Sequence, residues 1–192
     1  MLTGIADFLV RMLPGVILGA ALYVCLLPVR RRHLIRSRLN SPLYREVILF
    51  LFFLFCGGMA LITLTPRWFH WADFFTGEFS GPFFQIGTFN LIPFATFASD
   101  PWSVLILLGN VIMFFPFGFF FILLWRNQSW KHTLLFGLLI TLCIEVFQLF
   151  IGRTFDVDDL LLNTIGVLLG GLFCSLLRHF FPILYLFQVQ DT

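Results

Sequence analysis

Charged side chains make up only 11% of the 192 residues, less than half of the roughly 25% with which a soluble domain covers its surface. A water-soluble globule is excluded, and disorder with it, since a disordered chain needs the polar excess missing here. Cysteine is also sparse. Cys25, Cys56, Cys143 and Cys174 each sit in an apolar run, with no CxxC pair and no histidine nearby. Neither a disulfide framework nor a metal site is expected, and such thiols serve as small hydrophobes. The first eleven residues hold one Arg and one Asp, whereas three arginines, Arg30 to Arg32, follow the first apolar run. That is the reverse of a secretory signal, so a cleaved leader is not expected. Neither an N-terminal Met-Gly nor a C-terminal CaaX box is present, so no lipid anchor is expected. A net charge of +2 leaves no basic excess for a nucleic acid partner.

What is abundant is apolar. Hydrophobic residues reach 59% and phenylalanine alone numbers 28, with a mean hydropathy of +0.96. That many rings exceed a small aqueous core and suit a surface facing lipid. Crossing ~30 Å of hydrocarbon takes about 20 apolar residues as a helix, and five stretches approach that length: Leu13–Val29, Val47–Thr65, Ser103–Trp125, Thr133–Ile151 and Leu160–Leu177. Apolar character resumes at Phe180–Phe187. The fold class is therefore all-α, a polytopic integral membrane bundle of about five helices. Residues 1–46 hold the first span and a basic loop, 47–178 the main membrane domain, and 179–192 a tail. No inverted repeat of the transporter type is present.

Lys and Arg set the orientation. Six arginines, Arg30, Arg31, Arg32, Arg36, Arg38 and Arg45, lie in one loop. Arg126, Lys131 and Arg178 share its side of the membrane, leaving only Arg11, Arg67 and Arg153 opposite. The positive-inside rule then predicts an outside N-terminus and a cytoplasmic C-terminus. The arginine-rich loop reads as a topology signal, with an anionic-lipid or protein site as the other reading. The segment from Arg67 to Trp102 becomes external. Trp68, Phe69, Trp71, Phe74, Phe75 and other rings crowd it, which predicts a loop at the headgroup level.

Polar groups at membrane depth are costly and usually face a bundle interior. Asn110, Glu145, Gln148 and Asn163 all fall within about 10 Å of the outer boundary at 1.5 Å per residue. Helical phase agrees: Thr141, Glu145, Gln148 and Gly152 make one stripe, and Asp156, Asp159, Asn163, Gly166 and Gly170 make another if the last helix starts near Asp156. Asp158 then points elsewhere, about 140° from Asn163, and should be nearly silent on substitution. The expectation is a pocket in which Asn110, Glu145, Gln148 and Asn163 are in reach of one another. Each member also has a structural reading. Glu145 with Arg153 would be an ion pair, Asp156 and Asp159 would cap a helix, and Asn110 would serve packing. Gly166 and Gly170 form a small-xxx-small pair for helix approach, and Pro116 is a kink site.

Four motifs resemble the VanZ family: Asn90-Leu-Ile-Pro93-Phe94, Asn110-Val-Ile-Met-Phe-Phe-Pro116-Phe-Gly118, Glu145-Val-Phe-Gln148, and Arg153-Thr-Phe-Asp156-Val-Asp-Asp159-Leu-Leu-Leu-Asn163-Thr-Ile-Gly166. The resemblance spans roughly residues 50 to 178. It implies a multi-pass protein of the bacterial cell membrane. It also implies an association with teicoplanin-type glycopeptide resistance, but no settled activity and no cofactor.

Three functions fit. A non-enzymatic protein would bind a membrane lipid, an envelope precursor or a lipoglycopeptide in the outer-leaflet pocket. An intramembrane enzyme would use Glu145 with Asp156 or Asp159 as acid and base, or to hold a divalent cation. No serine or cysteine nucleophile sits beside a base, and His33, His70, His132 and His179 all lie away from these carboxylates. A transporter component is third. The sequence leaves the oligomeric state open.

Overall fold

The computed structural model describes residues 2–66, 69, 76–78, 81–94, 103–126 and 128–191. Most of the aromatic segment, including Trp68, Trp71, Phe74, Phe75, Phe79, Phe97 and Trp102, lies outside the described residues. The fold is all-α. Helices α1 (Leu2–Arg36), α2 (Leu43–Leu64), α3 (Ser103–Leu124), α4 (Trp130–Phe150) and α5 (Val157–Phe180) dominate. Five helices among the described residues are long and apolar enough to cross a membrane, as expected for a multi-pass membrane protein. The chain divides into two compact units, Met1–Phe84 with Val189–Thr192, and Gln85–Gln188.

In the first unit α1 pairs with α2. Small residues allow it: a Cβ on Gly15 would run into the Gly57 carbonyl, and one on Gly19 into that of Phe53. The Tyr23 ring packs edge-on against Phe50 and Phe53, with centroids 5.1 and 5.7 Å away. Helix α1 outruns the apolar window that ended at Val29 and carries Arg30 to Arg36 as helix. Arginine is a good helix former, so the charges mark where lipid ends and not where the helix does. The turn comes at Arg38, whose φ is +52°. Strand β1 (Leu39–Asn40) then pairs antiparallel with β4 (Gln190–Asp191). Pro42, extended at φ −67° and ψ 156°, precedes α2.

In the second unit α5 packs against both α3 and α4. Its closest approach is to α3. A Cβ on Gly166 would strike the Val111 carbonyl, one on Gly170 that of Phe115, and one on Gly118 of α3 the Val167 carbonyl. The far end of α3 is tied to α5 by Arg178, 8% exposed, whose Nη2 donates to the carbonyls of Ile122 and Leu123, the latter at 2.9 Å. A cation on the last, otherwise unpaired carbonyls of a helix satisfies both hydrogen bonding and the helix dipole. Ser129 and His132 form a capping box at the start of α4. Pro182 follows α5, and Pro182–Phe187 continues as a 3-10 helix; the apolar run beyond Phe180 therefore does not lengthen the span.

Candidate functional site

The second unit contains a feature with no helical periodicity to announce it. Residues 85–90 run alongside the turn between α4 and α5. The Gln85 amide donates to the Phe150 carbonyl at 3.0 Å and the Gly87 amide to that of Leu149 at 2.7 Å. These are carbonyls of the last turn of α4, which lack partners within their own helix. Gly87 is required there, because a Cβ would strike the Arg153 carbonyl. The Phe155 amide returns a bond to the Thr88 carbonyl at 2.8 Å. Strand β2 (Phe89–Asn90) lies parallel to β3 (Phe155–Asp156), with Asn90 opposite Asp156. The turn closes through Gly152 at φ +77°, a backbone conformation that glycine adopts without strain.

This clasp sets the polar residues at the head of α5. Asp156 is the N-cap: its Oδ1 accepts from the Asp158 amide at 2.9 Å, the usual satisfaction of a free helix N–H. Its Oδ2 accepts from Asn90 Nδ2 at 3.0 Å. Its own amide donates to Glu145 Oε2 at 3.0 Å. Glu145 is 1% exposed and lies near enough to Asp159, Arg153 and Asp156 to feel their charges. From α3, Asn110 Nδ2 donates to Asp159 Oδ1. Thus α3, α4, α5 and the 85–94 segment each contribute a polar group.

Two other members of the expected set, Asn163 and Gln148, are also buried. The Asn163 Oδ1 has no hydrogen-bond partner among the described residues. Gln148 is buried and its main-chain carbonyl accepts the amides of Ile151 and Arg153 at 3.1 and 3.0 Å. No described hydrogen bond joins the Asn163 side chain to Glu145 or Asn110. Arg153 shares the acidic neighbourhood of Glu145 and Asp159.

Asp158 was expected to point away from the Asn163 stripe and to be silent. The far side of the helix is not open. Asp158 is 3% exposed and its Oδ1 accepts from the Phe94 amide at 2.7 Å, while Oδ2 is buried without a hydrogen-bond partner among the described residues. Phase arithmetic gives the direction of a side chain but not what the loop before α3 lays across it. Phe94 itself sits at φ +64°, strained by about 1–3 kcal/mol for a residue with a Cβ, and the bond to Asp158 holds it there. Asn90 and the Phe94 amide are therefore the site groups that stripe reasoning missed. The available signal was the Asn90-Leu-Ile-Pro93-Phe94 motif, an amide side chain in an apolar run ended by proline.

Four carboxylates and Arg153 thus cluster where the partial positive charge of the α5 N-terminus favours anions. Among the described residues no three His, Cys, Asp or Glu side chains converge as metal ligands would. Among the described residues, Asp158 Oδ2 and Asn163 Oδ1 are buried acceptors without a hydrogen-bond partner.

Residues 47–178 match the model of the family described as VanZ/LLP1, a stretch that contains every residue of this site. No curated protein and no solved structure matches the chain.

Proposed function

The chain belongs to the VanZ/LLP1 family, and from that premise we propose that its polar site captures the donor-rich head of a lipid or cell-envelope amphiphile. On this reading it is a protein of the bacterial plasma membrane, with the site in the outer leaflet. One observation carries the reading. Asn163 Oδ1 is a buried acceptor without a hydrogen-bond partner among the described residues, on the helix stripe that also carries Asp156 and Asp159, which donors from Asn90 and Asn110 already hold in place. An unmade buried acceptor costs about 1–3 kcal/mol, and polar groups at membrane depth are functional by default. Acceptors of this kind suit a head bearing hydroxyls, amides or an amine, as in the sugar or peptide of an envelope precursor or of a lipoglycopeptide. The apolar tail would lie along exposed residues of α3 and α5 such as Ile112, Leu161 and Ile165. Capture of such a ligand is the route by which the protein would contribute to teicoplanin-type resistance.

The test uses a host whose teicoplanin sensitivity depends on the protein. Glu145→Gln and Asp159→Asn should both lose protection and lose the copurifying lipid seen by mass spectrometry, at unchanged membrane levels on an immunoblot. Full protection by both variants would defeat the proposal. Turnover of the lipid by the wild type, instead of its retention, would favour the carboxylate-dependent enzyme.

A further inference from the structure

The first unit has a cleft of its own, about 420 Å³ in volume, between the C-terminal part of α1 and the start of α2. Every residue lining it precedes residue 47, so it lies outside the family match. Its walls are of two kinds. Leu34, Ile35, Leu39 and Leu43 are apolar, and Arg30, Arg31, Asn40 and Ser41 are polar or cationic. The one acid in the lining, Glu46, is already engaged. Its Oε1 accepts from Arg30 Nη2 at 2.7 Å and from Ser41 Oγ, and its Oε2 accepts from the Tyr23 hydroxyl at 2.7 Å. Arg30 Nη1 is buried and has no hydrogen-bond partner among the described residues. Arg31 lines the same cleft and is exposed.

Position adds to composition. The cleft lies where the Met12–Arg36 span ends and the Leu43–Leu64 span begins, which is the boundary between hydrocarbon and headgroups. We infer that it binds an anionic phospholipid, with the phosphate on the exposed Arg31 beside Arg30 and the first part of an acyl chain along Leu34, Ile35, Leu39 and Leu43. Guanidinium groups match phosphate oxygens in geometry and charge, and arginines next to a span attract anionic lipid. A free phosphate would satisfy the arginines and leave the leucine wall in water, whereas a lipid covers both.

The full chain, purified in detergent, is titrated with phosphatidylglycerol or phosphatidylcholine, and bound lipid is read by native mass spectrometry. Phosphatidylglycerol should be retained and phosphatidylcholine not. Arg31→Gln should weaken phosphatidylglycerol binding about fivefold, the loss of one interfacial cation. Arg36→Gln makes the same charge change at a residue that does not line the cleft and should leave binding unchanged. Equal weakening by Arg36→Gln, or equal retention of phosphatidylcholine, would reduce the effect to diffuse surface attraction and overturn the site. Displacement of the lipid by inorganic phosphate would overturn the lipid and assign the arginines to a free anion. The contrast between Arg31→Gln and Arg36→Gln changes nothing at the head of α5, so it separates this cleft from the lipid site proposed there.

Discussion

Asp156 makes three contacts with three partners. It caps α5 through Asp158, receives Asn90 across the clasp, and gives its amide to Glu145. Removing a single donor is therefore the mildest way to ask whether the arrangement forms. Asn90→Ala should lower stability by about 1–2 kcal/mol, the range for a hydrogen bond to a charged acceptor in a membrane protein. Thermal unfolding in detergent measures it. Asn90→Asp should cost more, because it sets a second carboxylate against Asp156. An unchanged midpoint in Asn90→Ala would show that this bond contributes nothing. Asp158 offers the complementary comparison. Asp158→Asn keeps an oxygen for the Phe94 amide, whereas Asp158→Ala removes it, so the alanine variant should be the less stable of the two by about 1–3 kcal/mol.

Among the elements, helices and clasp differ in how they are encoded. The five spans could be read directly, because about 20 apolar residues in a row have few other uses. The stripes on α4 and α5 could be read from phase, since a helix repeats every 3.6 residues; Thr141, Glu145 and Gln148 on α4 are all buried in the structure. The length of α1 could not be read in the same way, because a hydropathy window reports compatibility with lipid and is blind to Arg30–Arg36 continuing as helix. The clasp was beyond reach for another reason. Two-residue strands have no period to detect, and Asn90 and Asp156 are 66 residues apart. A direct check is available at its edge, where Thr88 Oγ1 and Thr154 Oγ1 are 3.1 Å apart. Two cysteines there come close enough for a disulfide. Thr88→Cys with Thr154→Cys should crosslink under mild oxidation and give a faster-migrating band on a non-reducing gel. Failure to crosslink while either cysteine alone reacts freely with a small reagent would mean that the segments do not pair.

For the whole molecule, the open question with the sharpest answer is which side faces the cytoplasm. Nine lysines and arginines against three predict that the loop between α1 and α2 is inside. The four native cysteines are free, so the measurement uses a background in which they are replaced. Ser37→Cys should resist a membrane-impermeant thiol reagent in intact cells and react after permeabilisation. Efficient labelling in intact cells would invert the topology and, with it, the leaflet assigned to both proposed ligands. The clasp also imposes an order in time. Translation delivers Asn90 and Phe94 well before Asp156 and Asp158 (partners 66 and 64 residues later), and α3 and α4 must enter the membrane in between. Until α5 emerges, the Asn90 side chain and the Phe94 amide have no partner to meet. The polar site is thus finished only after α3 and α4 have been made. A chain stalled or cut before α5 would present unpaired polar groups to the proteases that police the membrane, so completion of the site doubles as a certificate that insertion is done.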